Sequence, residues 1–334
     1  MNTIRAIVLD RPGMRLATAE LVAPIPGRGE AVVHVHAASV NRADLAQRLG
    51  THAPSAGSGR TVVGLDAAGE VIAVGEGVTN VGVGDRVMAM VSGGLAERVC
   101  VPAAMLVEVP AGWTYVEAAG AILGLMTSHN ALRTAARLTP GESVLVHAAG
   151  SGVGIQAVQL AAHMGARPVI ATVRSERSRS VLEQVGAATV INVTQSGFGD
   201  AVRAATGGKG VDVVLDHVGG PYLAETIECM ALGGRLVGIG RLGGARGDLD
   251  MEAMALKRLE LIGVTFRTRD PVQKADVVRG MVEEIGPDLA INALRPIIDR
   301  VLPWTQAEDA HELLARNDTV GKVVLTVGAD ANPH

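Results

Sequence analysis

The sequence predicts an α/β protein that combines a small, mostly antiparallel β domain with a doubly wound parallel sheet. Short apolar runs separated by glycine turns fill the first third of the chain. Strands and helices alternate after about residue 117, and an apolar strand at 143–147 leads through a glycine turn into a helix. With 334 residues, the chain exceeds a typical single domain, so we expect two.

Composition excludes several classes of protein. A net charge of -4 gives no electrostatic reason to expect a nucleic acid or an anionic membrane as partner. No stretch is apolar enough to cross a bilayer and the N-terminus has no secretory signal, so we expect a cytoplasmic protein. Cys100 and Cys229 are the only cysteines, which rules out a Cys-rich metal site. Their spacing leaves a disulfide open, although buried free thiols in a reduced protein are the commoner case.

The elements follow in order from local patterns. In the β domain, apolar runs between turns predict strands at 30–36, 68–75, 84–91 and 96–102. In the second domain, the alternation of strand-like and helix-like segments predicts strands at 167–173, 211–216 and 235–239, with a helix at 224–232. The remainder predicts a β run at 259–265, a helix at 272–285, a strand at 297–301, a helix from residue 305 and a final strand at 321–327.

The glycine turn after the strand at 143–147 predicts a dinucleotide site. Glycines at this turn let the backbone bend tightly and approach a pyrophosphate, while the amides and positive end of the next helix favour its charge. The predicted contacts are Gly150, Ser151, Gly152, Val153 and Gly154.

The segment after the next strand indicates which dinucleotide binds. An NAD site usually places an acid there for the ribose hydroxyls, whereas a 2'-phosphate needs cations and hydroxyls. This chain has Arg174, Ser175 and Arg179 within an arginine- and serine-rich run, which favours NADPH. Two alternatives stay open: the arginines solvate a helix start, or Glu176 reaches a ribose.

Motifs along nearly the whole chain resemble the medium-chain dehydrogenase/reductase superfamily, in particular its zinc-independent quinone oxidoreductase branch. They lie at 41–48, 64–71, 74–79, 83–87, 147–154, 208–216, 218–220 and 321–325. The resemblance implies a GroES-like catalytic domain from residues 1–120 and 262–334, with a Rossmann domain at 121–261 inserted between them. It also implies a homodimer, commonly formed through edge strands of the Rossmann domains.

The same resemblance indicates whether this chain has the residues to bind a catalytic zinc ion. Zinc-dependent relatives bind the catalytic ion through a Cys near position 41 and a His near position 65, where this chain has Asn41 and Leu65. Because leucine cannot ligate zinc, we expect no metal. Without a Lewis acid to stabilise an alkoxide, hydride delivery to an electrophilic quinone or enone is favoured over alcohol oxidation.

Further site residues are carried over from the family. The resemblance puts Asn41 beside the nicotinamide ribose or substrate, Asp44 nearby and Thr127 close to the carboxamide. It also implies coenzyme contacts for Phe266, Arg267 and Lys322. The alternatives are that Asn41 and Asp44 hold a loop, that the Thr127 hydroxyl bonds its own helical turn, and that Arg267 solvates a turn.

Two histidines replace aromatic residues that the family often has. His52 and His129 offer hydrogen bonds and a proton where a ring would offer stacking. Our hypothesis is that one of them faces the substrate and donates to its carbonyl oxygen. The alternative is that His52 sits on a loop and His129 packs in a helix.

These observations predict a zinc-independent reductase that transfers hydride from NADPH to a quinone or α,β-unsaturated carbonyl. One alternative is an enoyl or enone reductase that tailors a polyketide-like metabolite. An alternative of another class is an NADPH-binding protein with little redox activity, with a structural or nucleic-acid-binding role.

Overall fold

The computed structural model describes residues 2–10, 15–49 and 61–328. The chain divides into two compact units. The terminal unit contains both ends of the chain, up to Leu123 and from Asp270 onward, and the central unit spans Gly124–Arg269. The domain limits expected from the resemblance, at 120/121 and 261/262, lie close to these divisions and stay a prediction.

The regular elements are numbered in chain order. The strands are β1 Thr3–Asp10, β2 Arg15–Val22, β3 Glu30–Ser39, β4 Thr61–Val62, β5 Asp66–Val74, β6 Arg86–Met90, β7 Arg98–Pro102, β8 Val107–Glu108, β9 Val144–Val146, β10 Val169–Val173, β11 Thr189–Asn192, β12 Val211–Asp216, β13 Met230–Gly238, β14 Glu260–Gly263, β15 Ile298–Pro303 and β16 Lys322–Thr326. The helices are α1 Arg42–Arg48, α2 Tyr115–His129, α3 Gly152–His163, α4 Arg179–Gln184, α5 Gly199–Ala205, α6 Gly220–Cys229, α7 Met251–Leu256, α8 Pro271–Ala290 and α9 Ala307–Ala315. Single 3₁₀ turns lie at Ala103–Met105, Glu176–Ser178 and Trp304–Gln306, and a π-helical turn at Asn130–Ala135 continues α2.

The terminal unit contains the expected mostly antiparallel β domain. Its larger sheet has the order β15-β16-β3-β5-β6-β8, with β7 also paired to β3. Only the β15 to β16 pairing in this sheet is parallel among the described strands. β3 lies in the middle of this sheet, and residues of both its faces, such as Val32 and Val33, are buried. A second sheet has the order β2-β1-β4.

The central unit is a doubly wound parallel sheet with the strand order β11-β10-β9-β12-β13-β14. Strand order reverses at β9, so the loops after β9 and its neighbours open at a topological switch point, the usual ligand site of such sheets. Leu145, Ile170 and Val214 of adjacent strands are fully buried and pack with Phe198 and Ile227 from the helical layer.

One predicted helix begins and ends at different residues in the structure. Sequence reasoning placed it at 224–232, but α6 spans Gly220–Cys229 and β13 begins at Met230. Pro221 suits the first turn of α6, because an N–H there would lack an acceptor anyway. Met230 already has extended backbone angles, so the apolar residues from 230 to 232 belong to a strand.

Candidate active site

The turn between β9 and α3 has the geometry of an anion-binding site. Ser151 caps α3: its Oγ accepts from the Gly154 N–H at 3.1 Å and donates to the Ala148 carbonyl at 2.9 Å. Ala148 is held in the left-handed region at φ 51°, which bends the chain sharply. The first N–H groups of α3 have no acceptor within the helix and carry its positive dipole end, so they favour a phosphate.

Two glycines of this turn have no room for a side chain. A Cβ on Gly154 would lie 2.6 Å from the Ala148 carbonyl oxygen and 2.7 Å from the Ala149 Cα. A Cβ on Gly150 would lie 2.8 Å from the Ser178 Oγ. The second contact also shows that the segment after β10 lies against the glycine turn, so the structure brings the two predicted phosphate-binding segments together.

The segment after β10 holds a local ion pair. Arg179 Nε donates to Glu176 Oε2 at 2.5 Å and Arg179 Nη1 donates to the Val190 carbonyl at 3.0 Å. The second Glu176 oxygen accepts from Asn192 at 2.9 Å. These hydrogen bonds, that from Arg179 first, lower the pKa of Glu176. The predicted coenzyme residue Arg179 therefore neutralises the nearby acid, while Arg174 lies exposed at the carboxyl end of β10.

Ser175 begins the turn that follows Arg174. Its Oγ accepts from the Arg177 N–H at 3.3 Å, which caps the 3₁₀ turn at Glu176–Ser178. Its hydroxyl hydrogen remains available for a ligand oxygen.

Several predicted residues belong to the same unit as the glycine turn. The second half of α2 packs on α3: a Cβ on Gly124 would overlap the Gln156 side chain, and Ser128 Oγ lies 3.5 Å from the Val153 carbonyl. Thr127 on this half-helix is half-buried, and His129 is buried at 4% exposure.

The predicted segment at 265–269 contacts the end of α2. Arg269 donates to Asn130 Oδ1 at 3.1 Å and its guanidinium lies 5.5 Å from the Phe266 ring centre. Phe266 is half-buried and Arg267 is exposed. His52 lies outside the described residues.

In the terminal unit, Asn41 and Lys322 join a buried polar cluster. Asn41 caps α1 in a capping box with Asp44, whose Oδ2 accepts from the Asn41 backbone N–H at 2.7 Å. The Asn41 Nδ2 donates to Asp66 Oδ2 at 2.8 Å, and Lys322 Nζ donates to Asn41 Oδ1 at 2.6 Å. Ser39 donates its N–H to Asp66 Oδ1 at 2.5 Å and its hydroxyl to Asp66 Oδ2. These five residues are each at most 6% exposed, and we call them the Asn41 cluster.

Burial controls the protonation of the Asn41 cluster. It raises the pKa of Asp44 to about 7; the nearby Asp66 raises it further, while the Asn41 N–H and Lys322 oppose the shift. Burial also lowers the pKa of Lys322, against the attraction of Asp66 and Asp44. Asp44 Oδ1 is buried without a hydrogen-bond partner in the described structure.

The Asn41 cluster does not suit a zinc ion. Leu65 provides no donor atom, and the ammonium of Lys322 lies against Asn41 Oδ1, where a second cation would be repelled. Among residues 2–10, 15–49 and 61–328, no group of three His, Cys, Asp or Glu side chains is arranged to hold a metal ion.

Sequence reasoning missed three buried polar residues. Asp66 and Ser39 complete the Asn41 cluster, and an acid that opens an apolar strand directly after Leu65 was a usable signal. His147 bridges Thr172 and Thr226 at 3.0 Å each, and burial lowers its pKa to about 3, so it is a neutral link between β9, β10 and α6. No local pattern distinguishes it from a ligand-facing histidine.

Comparison with protein families gives two matches in the expected order. Residues 27–111 match the alcohol dehydrogenase GroES-like domain and residues 152–292 match the zinc-binding dehydrogenase family. The first match lies in the terminal unit, and the second lies mostly in the central unit and extends past Arg269.

Three curated relatives illustrate the range of similar proteins. The chain is 32% identical to a 2-haloacrylate reductase of Burkholderia sp over 90% of its own length and 91% of the relative's. It is 29% identical to a quinone oxidoreductase of Rattus norvegicus over 97% of both chains. It is 33% identical to the pikromycin polyketide synthase component PikAII of Streptomyces venezuelae over 95% of its own length, but spans only 8% of that much longer protein.

Two solved structures are similar to this chain over nearly its whole length. The chain matches an NAD-dependent alcohol dehydrogenase with a TM-score of 0.86 and 32% identity, covering 97% of this chain and 100% of the other. It also matches mycobacterial Rv1454c complexed with NADPH, with a TM-score of 0.84 and 29% identity over 97% and 99% of the two chains.

The fold and the comparisons together define an oxidoreductase whose Rossmann-like domain is of the kind that holds a nicotinamide cofactor. The chain belongs to the medium-chain dehydrogenase/reductase superfamily, with a GroES-like domain and a Rossmann-like domain. No helix in the described part of the chain has the length and apolar character needed to span a bilayer.

Proposed function

We propose that this protein is an NADPH-dependent, zinc-independent reductase that transfers hydride to a quinone or an α,β-unsaturated carbonyl. One observation carries the choice of coenzyme: an arginine- and serine-rich segment lies against the glycine turn, and its acid, Glu176, is already bonded by Arg179 and Asn192. A 2'-phosphate suits this surface better than a bare ribose diol does.

The chain's own residues would hold the coenzyme in three ways. The amides of Gly152 and Val153 at the start of α3 would take the pyrophosphate. The Arg174 guanidinium and the Ser175 hydroxyl would take the 2'-phosphate, while Arg179 keeps Glu176 neutralised. Thr127, Phe266 and Arg267 are the further proposed contacts from the central unit.

The chemical class of the hydride acceptor follows from the two residues that stand in place of zinc ligands. Asn41 and Leu65 stand at the positions where zinc-dependent relatives have Cys and His, so an alkoxide would lack a Lewis acid. A conjugated acceptor spreads the developing charge itself, so positioning can suffice. When bound, the reduced nicotinamide supplies the hydride. A proton from solvent, His129 or His52 completes the reduction.

The relatives are consistent with a conjugated acceptor. One is named a quinone oxidoreductase and another a 2-haloacrylate reductase, and both names denote electron-poor conjugated substrates. Similarity to a polyketide synthase component supports the second candidate, reduction of an enoyl group on a polyketide-like metabolite.

Coenzyme oxidation tests the proposal directly. NADPH and NADH consumption are measured with quinones, enones and enoyl thioesters. We expect NADPH to be preferred over NADH. The Arg174→Ala substitution should raise the KM for NADPH by about tenfold or more and leave the KM for NADH unchanged. Arg28→Ala, at a side chain 82% exposed, is the matched control and should behave as wild type.

The acceptor profile distinguishes the candidates. Turnover of quinones or enones supports the first proposal, and turnover of enoyl thioesters alone supports the second. Tight NADPH binding without turnover of any acceptor would contradict both and favour a binding protein. Equal use of NADH would contradict the coenzyme assignment.

We further propose a cytoplasmic homodimer joined through the Rossmann-like sheets. In the described sheet β14 is an edge strand, and its Leu261 is 40% exposed, which suits pairing with a second copy. Light scattering of the purified protein checks the dimer, and a monomer at micromolar concentration would contradict it.

A further inference from the structure

The Asn41 side-chain amide is held at both ends by opposite charges. Its oxygen accepts from the Lys322 ammonium at 2.6 Å, and its nitrogen donates to the Asp66 carboxylate at 2.8 Å. The nitrogen also lies 3.2 Å from the Ser39 carbonyl oxygen, which takes its second hydrogen. Both hydrogens of the amide therefore have acceptors within the terminal unit, whereas Oδ1 accepts one hydrogen bond and keeps a second lone pair for a ligand.

This arrangement permits one orientation of the amide. A half-turn of the Asn41 amide would put its NH₂ group against the ammonium and its oxygen against the carboxylate. Both contacts would then be repulsive instead of attractive, in an interior where charge interactions are strong. Lys322 and Asp66 thus select a single rotamer of Asn41.

The backbone of Asn41 is fixed as well. Its N–H donates to Asp44 in the capping box at the start of α1, and Asp66 is fixed in turn by the Ser39 N–H and hydroxyl. Strands β3, β5 and β16 bring these residues together, because Ser39 pairs with Val324 and the start of β5 lies opposite the end of β3. The amide is therefore fixed by elements that are far apart in sequence.

The position of Lys322 argues against direct coenzyme binding. Its side chain is 4% exposed, and its Nζ is engaged by Asn41 with Asp66 Oδ2 3.8 Å away. A lysine that binds phosphate needs its ammonium in reach of the ligand, as an exposed or groove-lining charge. The buried charge is instead compensated by Asp66.

We propose that Lys322 and Asp66 are positioning residues that hold the Asn41 amide in one orientation, and that Lys322 does not bind the coenzyme. The inference rests on the proposed function, in which Asn41 is the residue that touches the nicotinamide ribose or substrate. Loss of Lys322 should therefore affect turnover through Asn41 and leave coenzyme binding unchanged.

A double-mutant cycle tests this dependence. NADPH affinity is measured by fluorescence titration, and kcat and KM on the best acceptor are measured for Lys322→Met, Asn41→Ala and the double variant. We expect each single variant to lower kcat by about tenfold or more, and the double variant to lose no more than Asn41→Ala. The dissociation constant for NADPH of Lys322→Met should stay within about twofold of wild type.

Two outcomes of these measurements would overturn the proposal. The first is a multiplicative loss in the double variant, because Lys322 would then act independently of Asn41. The second is weakened NADPH binding in Lys322→Met with unchanged kcat, which indicates a coenzyme contact. Lys322→Arg keeps the cation and should recover at least part of the lost kcat, which a purely steric role would not predict.

Lys322→Met leaves the Asp66 carboxylate buried without a countercharge, so this variant could fail to fold. The Lys322→Met, Asp66→Asn double variant removes both charges together. We expect it to fold and bind NADPH, yet to remain slow in turnover. Full activity in this variant would contradict the proposal.

A direct readout separates this inference from the proposed function. If wild type reduces none of the acceptors, the proposed function fails, but the side-chain amide resonance of Asn41 still reports its environment by NMR. We expect this resonance to shift in Lys322→Met and to stay near its wild-type position in Lys322→Arg. An unchanged resonance in Lys322→Met would overturn the inference.

Discussion

The glycine turn and the Asn41 cluster, the two regions proposed to face a ligand, owe their shape to opposite features. The turn offers backbone N–H groups at the start of α3, and its shape depends on the absence of side chains at Gly150 and Gly154. The cluster depends on side chains, with Asp66 and Lys322 buried at 0% and 4% exposure. The turn should therefore be sensitive to added volume and the cluster to lost charge.

The largest expected effect on coenzyme binding comes from volume added to the glycine turn. Gly154→Val would push a branched side chain into the Ala148 carbonyl oxygen, 2.6 Å from its Cβ, and the Ala149 backbone. Backbone cannot move aside as a flexible side chain can, so we expect NADPH affinity to fall by about 100-fold or more. Fluorescence titration with NADPH measures the change.

Gly263→Ala is the matched control in the same unit. Its Cβ would meet nothing within 4 Å, and its φ lies outside the left-handed region. NADPH affinity should match wild type. If Gly154→Val also bound NADPH normally, coenzyme binding at the turn would be wrong.

The difference between the glycine turn and the Asn41 cluster also explains which parts of the candidate site could be predicted from the sequence. The glycine turn lies within a few residues of chain, so its pattern was enough to predict its conformation and to propose its ligand. The Asn41 cluster joins side chains 281 positions apart, Asn41 and Lys322, through pairing of β16 with β3. A single sequence carries no signal for that pairing, so Lys322 was predicted as a coenzyme contact from its motif alone.

Element types were predicted better than their ends for a related reason. Short apolar runs identified β3 and β12, whereas the limits of α6 depended on Pro221 and on pairing of Met230 with Val211. β2 and α1 gave no sufficient pattern, because no residue of β2 is fully buried and the seven-residue α1 is stabilised by the buried capping box at Asn41 and Asp44.

Removal of the Asp44 charge tests how far the Asn41 cluster depends on buried charge. The pKa of this carboxyl is raised from 3.8 to about 7, so the contribution of Asp44 to stability is largest below about pH 4 and is lost as the pH rises from about 4 to 7. Asp44→Asn keeps an acceptor for the Asn41 N–H and loses this dependence. The stability of the variant relative to wild type should rise by about 4 kcal/mol between pH 4 and pH 8.

Urea unfolding at several pH values measures that change. Asp309→Asn, at an exposed carboxyl in the first turn of α9, is the matched control, and its stability should follow wild type at each pH. If the free energy of unfolding changed with pH in the same way for Asp44→Asn and wild type, the raised pKa of the buried Asp44 carboxyl would be wrong.

His147 shows how the central unit buries a polar group without charge. Its ring bridges the hydroxyls of Thr172 and Thr226 and is fully buried. His147→Ala would leave a void and two unpaired hydroxyls, so we expect a loss of about 3 kcal/mol in stability. Thermal unfolding measures it, with His163→Ala at the exposed end of α3 as control. A loss no larger than that of the control would mean that the bridge contributes little.

The smallest expected effect shows that stability of the terminal unit can change without any change at the Asn41 cluster. Gly280 lies inside α8, and an added Cβ would meet nothing within 4 Å. Gly280→Ala should therefore raise stability by about 0.5–1 kcal/mol, because alanine loses less backbone entropy in a helix. Gly77→Ala, equally open but at φ +82°, should lower stability instead. Neither variant should alter kcat, whereas Lys322→Met should. A fall in kcat with the destabilised Gly77→Ala would mean that turnover follows the general stability of this unit and not the orientation of one amide.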